Sequence, residues 1–337
     1  MESRTGSSSA FRIALTAVIA LTVAAGAGAA GGRPFTVCLV TDPAAAGDPA
    51  IGASAEAGLQ TAERRGTTGR LIRASSPAAD LDGLRACVRG GADLTIGVGY
   101  LMESAMNSVA TAYPHRVFAI VDASVTTLPS RPDNVQGVLF RTEQAGDLAG
   151  YAAGLWAKAR GGKAVGSVGG LEIPPVDRYV AGFEAGAKRA FPKVRTLRTY
   201  AQSLTSVAKC RKSALSQIAD GSVVEFQVAG SCGAGVLEAA HAKGVFGIGS
   251  DADQGTLGDW IMTSAVKHVD VAVAATIAAA RDGTLRPRTN VIYGAAAGGV
   301  GRGVWSPLVP SAIRNAVARQ AQLLRNGMIT GIPTKVD

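Results

Sequence analysis

Aspartates recur just after short apolar runs in this chain. Asp42 follows Phe35–Val40, Asp122 follows Val117–Val121, and Asp251 follows Val245–Ile248. Lys267 stands in the same relation to Ile261–Ala265. Small-residue segments share these positions: Gly97-Val98-Gly99-Tyr100, Gly169-Gly170 and Ala229-Gly230-Ser231. Asp48 lies further along the segment that begins at Asp42. Carboxylates accept hydrogen bonds from vicinal hydroxyls, and an ammonium donates to a hydroxyl oxygen or balances the carboxylates. Glycine lets backbone approach a ligand closely, and a tyrosine offers a ring face. Together these groups suit a neutral polyol that carries an aromatic part. The candidates are Asp42, Asp48, Tyr100, Asp122, Gly170, Gly230, Ser231, Asp251 and Lys267. Singly, each has a plainer use: an aspartate after a strand caps the next helix or forms a turn, and a lone tyrosine packs.

Catalytic patterns are weak by comparison. The three histidines are His115, His241 and His268. The first two are expected on the surface, and the ring of His268 is expected to point away from Lys267. No Gly-x-Ser-x-Gly elbow occurs, and neither Gly97-x-Gly99 nor Gly166-x-x-Gly169-Gly170 completes a dinucleotide fingerprint. An enzyme such as a nucleoside hydrolase is the weaker reading, since acid–base catalysis needs tuned groups within reach of the substrate. No cofactor and no metal ion are expected.

The elements that must carry these residues alternate. Apolar runs of about five residues, read as strands, are separated by segments with helical spacing such as Ile51–Arg65, Glu143–Arg160, Val176–Phe191 and Asp270–Arg281. Asp80 is placed to cap a helix running to Arg89, and Ser311 to cap one ending near Gly327. This rhythm predicts an α/β fold of parallel sheets covered on both faces. It runs through about four strand–helix units, restarts near Asn134–Asp147, and runs again. The expected fold is two-lobed, with each lobe a parallel sheet flanked by helices. The first lobe takes residues 33–140 and return segments at about 266–300; the second takes 141–265 and part of 301–330. Ligands of open α/β sheets bind beyond the carboxyl ends of the strands, so the candidates would line a cleft between the lobes.

The chain starts with Arg4 and Arg12, an apolar run Ile13–Val23, and Ala27-Gly28-Ala29. That order describes a signal peptide over residues 1–29 and implies an exported protein. No cysteine precedes Cys38, so a lipid anchor is not expected. Net charge is +9, but the basic residues are scattered and aromatics are only 5%, which argues against nucleic-acid binding. Four cysteines in an oxidising compartment allow three pairings. Cys38–Cys87 with Cys210–Cys232 keeps each bond within one lobe; buried thiols are the alternative.

Four segments resemble the basic membrane protein family, the purine-nucleoside receptors of ABC importers. They are Val40-Thr41-Asp42 with Asp48, Gly58 and Leu59; Gly97–Leu101 with Tyr113-Pro114 and Phe118–Asp122; Gly169-Gly170 with Ile173-Pro174, Val176 and Gly182–Gly186; and Ile248–Gln254 with Thr263–Asp270. The resemblance implies a periplasmic-binding fold of the first type, hinge closure on the ligand, an ABC permease as partner and a monomer as the default. By position it implies that Asp251 and Lys267 hold ribose hydroxyls, that Asp48 addresses the base, that Tyr100 stands near a family aromatic, and that Gly230 lines the base. The family's opening Asp-Lys-Ser-Phe-Asn is here Asp48-Pro49-Ala50-Ile51-Gly52, so Ile51 stands where the family stacks an aromatic. Another heterocycle such as riboflavin is therefore a second expectation for the ligand. A sensor that passes occupancy to a partner protein is a second expectation for the role.

Overall fold

The computed structural model describes residues 33–42 and 50–336. The expected signal peptide and Asp48 lie outside the described residues. The first sheet holds β1 (Thr36–Thr41), β2 (Thr68–Arg73), β3 (Leu94–Val98), β4 (Val117–Val121), β5 (Val135–Phe140) and β11 (Asn290–Tyr293). Its order is β11-β5-β4-β3-β1-β2, parallel throughout. The second sheet holds β6 (Ala164–Gly169), β7 (Arg195–Tyr200), β8 (Ser222–Val228), β9 (Phe246–Asp251), β10 (Ile261–Lys267) and β12 (Val300–Arg302). Its order, β12-β10-β9-β8-β6-β7, repeats the first, with β12 antiparallel to β10. Central strands are buried along their whole length, as in β3 and β10. Edge strands β2 and β7 are partly exposed and carry arginines, which discourages further pairing.

The helices are α1 (Ile51–Glu63), α2 (Pro77–Arg89), α3 (Glu103–Ala112), α4 (Thr142–Arg160), α5 (Pro174–Ala190), α6 (Val207–Ala219), α7 (Ala234–Ala242), α8 (Val269–Arg281) and α9 (Ser311–Arg325). None among the described residues is long and apolar enough to cross a membrane. Two expected caps are corrected. Ser76 caps α2 by accepting from the Ala79 amide at 3.2 Å; Pro77 at the first helical position sets that start and leaves Asp80 inside the helix. Pro310 precedes α9, so Ser311 is its first residue and caps nothing.

The pairing of α4 with α5 explains much of the glycine content. A Cβ on Gly146, Gly150 or Gly154 would strike the backbone of Tyr179, Phe183 or Ala187, and Gly182 and Gly186 meet Glu143 and Asp147 in return. The two helices touch backbone to backbone, which a larger residue at these positions would prevent.

The chain passes between the sheets three times: at Arg141 after β5, at His268 after β10, and between β11 and β12. After the second passage α8 packs on α1, where the Asp270 amide donates to Ser54 Oγ at 3.0 Å. After the third, α9 returns to α4, where Gln320 donates to Asp147 at 2.8 Å. Disulfides join Cys38 to Cys87 and Cys210 to Cys232, with Cα atoms 5.5 and 5.7 Å apart.

One buried acid in the second sheet has a measurable consequence. Glu225 on β8 is fully buried, and neither carboxylate oxygen has a well-formed hydrogen bond; the nearby Ser222 hydroxyl, which donates to Val224 O at 2.9 Å, opposes the upward push of burial only in part. Gln217 is fixed by its bonds to Ser167 O (3.0 Å) and Thr199 Oγ1 (2.9 Å). Its own oxygen, also without a donor, sits beside Glu225 in the space left by Gly166. Burial pushes Glu225 up to about 8, so the folded protein keeps a proton that the unfolded chain releases above its ordinary 4.5. Stability therefore falls as pH rises from about 4.5 to 8, by at most ~1.4 kcal/mol per pH unit. Glu225→Gln should melt at a higher temperature than the parent at pH 8, with the gap closing towards pH 5. A gap that does not change with pH would contradict the protonated acid.

Candidate functional site

The carboxyl ends of the strands in both sheets meet at one cavity. The first sheet contributes Asp42 after β1, Gly99-Tyr100-Leu101 after β3 and Asp122 after β4. The second contributes Gly230 after β8, and Asp251 and Lys267 as the last residues of β9 and β10. Ile51, the first residue of α1, and Val176 and Tyr179, from the first turns of α5, complete the opposing walls. Leu204 and Val228 add aliphatic surface.

Lys267 organises the floor. Its ammonium lies 2.6 Å from Asp122 Oδ2 and 3.1 Å from Asp251 Oδ1, with side-chain exposures of 2%, 7% and 9% for Lys267, Asp122 and Asp251. Burial pulls the lysine down, but the two carboxylates more than offset it and hold it above its ordinary value. Burial pushes Asp122 up, Lys267 pulls it back, and Asp251 adds a smaller upward push. The two aspartates occupy similar places: Asp122 follows β4 and Asp251 ends β9, the third strand in the order of each sheet. Both adopt the left-handed conformation, at φ 69° and 66°, which aspartate tolerates better than most residues. The Tyr179 hydroxyl lies 3.4 Å from Asp251 Oδ1 and 3.3 Å from Ala265 O; its single proton serves one of them at a time.

Asp42 holds its place because of Gly99. At φ 124° a Cβ on Gly99 would fall on the Asp42 carboxylate. Asp80 is buried behind Asp42, and burial, then the Asp42 charge, pushes it up to about 6. Tyr100 is raised as well, by burial first and then by Glu103.

Of the residues singled out in the sequence, Asp42, Ile51, Tyr100, Asp122, Gly230, Asp251 and Lys267 come together at this cavity. Gly170 and Ser231 do not line it. Gly170 sits behind Leu204, whose side chain a Cβ there would strike, and Ser231 donates to the Leu204 carbonyl at 3.1 Å. Both support the loop that covers them. Tyr179 and Leu204 were not anticipated. The buried face of α5 makes a tyrosine look like packing, and Leu204 lies four residues past the end of the edge strand β7, as an aliphatic rather than a polar residue. Among the described residues no group of three or more acidic, His or Cys side chains is arranged to hold a metal ion.

The family model described as "ABC transporter substrate-binding protein PnrA-like" matches residues 35–329. The chain belongs to this family, Bmp. It is 32% identical to the CD4+ T-cell-stimulating antigen of Listeria monocytogenes over 78% of both chains. It is 28% identical to the ABC transporter nucleoside-binding protein BmpA of Lactococcus lactis, over 99% of this chain and 100% of that one. A solved ABC transporter solute-binding protein of Aeropyrum pernix K1 matches with a TM-score of 0.76 at 27% identity, covering 89% of this chain and 94% of its own. As a Bmp protein the chain is a non-enzymatic substrate-binding component of an ABC transporter, with a small-molecule ligand and a membrane permease as partners, acting outside the cytoplasm. The expectation of an unanchored protein gains no support. A relative from Pyrococcus horikoshii, 32% identical over 57% of this chain and 49% of its own length, is named an uncharacterized lipoprotein.

Replacing Lys267 by Met leaves two buried carboxylates facing each other without a counter-charge. Removing one partner of a buried ion pair costs about 3–5 kcal/mol, so Lys267→Met should melt well below the parent at pH 7.5. Part of the loss should return on acidification, as the uncompensated carboxylates take up a proton. An unchanged melting temperature at pH 7.5 would show that the lysine does not hold the floor together.

Proposed function

We propose that the chain is exported through its first 29 residues and, as a monomer, closes on one nucleoside-like molecule that it delivers to its permease. The observation that carries this reading is the cavity floor. Asp251 and Lys267 offer an acceptor and a donor 3.1 Å apart, a spacing that two vicinal hydroxyls can bridge. Asp122, Asp251 and Lys267 already satisfy one another, so a ligand hydroxyl joins the cluster without leaving a charge bare. The ring of the ligand lies against Tyr100, with Ile51 and Leu204 across from it. Asp42 and the backbone of Gly230 address its polar edge.

Ile51 favours a second reading of the ligand. An aliphatic side chain where the resembling family stacks an aromatic gives up one stacking partner and admits a different ring, such as that of riboflavin. The floor and the transport role stay the same.

Thermal unfolding against nucleosides, bases, flavins and sugars tests this. A ligand at 100 times its Kd stabilises the native state by about 2.7 kcal/mol. Guanosine, adenosine or inosine should raise the melting temperature, and Asp251→Ala should abolish the rise. A rise with flavins alone would favour the second reading, and a rise with sugars alone would contradict both.

A further inference from the structure

The cleft continues past Tyr100 and Asp122. Beyond them lies a second chamber that shares Tyr100, Asp122 and Pro175 with the first. Its walls are of a different kind. On the first-lobe side stand Ser124, Thr126, Thr127 and Asn290, tied into one network. Asn290 Nδ2 donates to Ser124 Oγ at 2.8 Å, and Asn290 Oδ1 accepts from the Val125 amide at 3.0 Å. The Ser124 and Thr126 hydroxyls are 2.8 Å apart. Thr127 Oγ1 lies 2.5 Å from Glu103 Oε1 and 2.8 Å from Ser124 O, and its one hydrogen serves one of them. The wall is therefore held in place before any ligand arrives. A hydroxyl accepts as well as donates, and Thr126 and Thr127 are exposed, so each keeps capacity for a partner from the chamber.

The charge of the chamber narrows that partner. Among the described residues that line it, Arg178 alone is cationic, and it is engaged with Glu143 at 3.5 Å. The Glu103 carboxylate stands on the other wall. A phosphate would meet no uncommitted cation and two carboxylates, Glu103 and the Lys267-paired Asp122. A neutral chain of alternating hydroxyls meets hydroxyl, amide and carboxylate partners along its length.

We propose that this chamber is a second subsite, which takes a neutral polyhydroxyl chain extending from the heterocycle bound in the main cavity. The inference rests on the heterocycle reading of that cavity and adds to it that the ligand is longer than the cavity alone requires.

Matched ligand pairs test it by isothermal titration of the full chain. Riboflavin is compared with lumiflavin, which has the same ring and a methyl in place of the polyol. Adenosine carrying a glyceryl ether at O5′ is compared with adenosine. Two or more new hydroxyl contacts should make the chain-bearing member bind about tenfold more tightly in at least one pair. Thr126→Val keeps the shape at an exposed position. It should remove most of that advantage and leave the affinity of the shorter member unchanged. Equal affinity within each pair that binds, or an advantage that survives in a Thr126→Val/Ser124→Ala double variant, would overturn the second subsite while the main cavity stands. Binding of no member of either pair, with no nucleoside or flavin raising the melting temperature either, would overturn both.

Discussion

A buried ammonium shared by two carboxylates governs how this molecule is put together. Taking an ion out of water costs several kcal/mol, recovered only when partners are held in good geometry. Lys267, Asp122 and Asp251 are all nearly out of solvent, and the lysine touches both acids. The acids come from different lobes: Asp251 shares the second sheet with Lys267, and the Lys267–Asp122 pair joins lobe to lobe. The cluster also sits beside the crossovers. Lys267 immediately precedes one, and Phe140, whose ring centre lies 5.5 Å from the ammonium, precedes another. A rotation of the lobes that pivots at the crossovers leaves the cluster intact and changes the spacing of the rims. Hinge closure of this type needs a fixed floor and movable walls.

The two lobes reach this floor by the same route. Their sheets have the same strand order, and Asp122 and Asp251 occur at the matching place in each with nearly the same backbone angle. The disulfides follow the repeat in part. Cys87 lies on α2 and Cys210 on α6, the helix that follows the edge strand in each lobe. Their partners lie on segments that lead to the cavity. Cys38 is in β1, whose end carries Asp42, and Cys232 is in the turn that carries Gly230. Each bond closes a loop and limits the freedom of the unfolded chain, and the Cys210–Cys232 bond also anchors the turn that brings Gly230 to the cleft.

Much of this was legible from residue types. Apolar runs marked the central strands because a parallel sheet covered on both faces favours apolar residues in them. A polar residue just after such a run was then a sound marker of the cleft, as Asp251 and Lys267 show. The same rule misplaced Gly170 and Ser231, because it names a loop without saying which layer of that loop faces the cavity. Leu204, from a neighbouring loop, covers both. The pairing of Lys267 with Asp122 was hidden, since 145 positions separate them and only the crossovers bring them together. Asp80 looked like a cap because it starts an amphipathic run; its burial behind Asp42 follows from Pro77 and Ser76 beginning the helix earlier.

A crystal structure of the protein grown with a saturating purine nucleoside is the most direct measurement. The expected result is a nucleoside enclosed between the lobes, with vicinal hydroxyls within hydrogen-bond distance of the Asp251 carboxylate and the Lys267 ammonium and its ring against Tyr100. A nucleoside bound away from this floor, or one whose hydroxyls turn to solvent while Lys267 keeps only its two aspartates, would contradict the central claim.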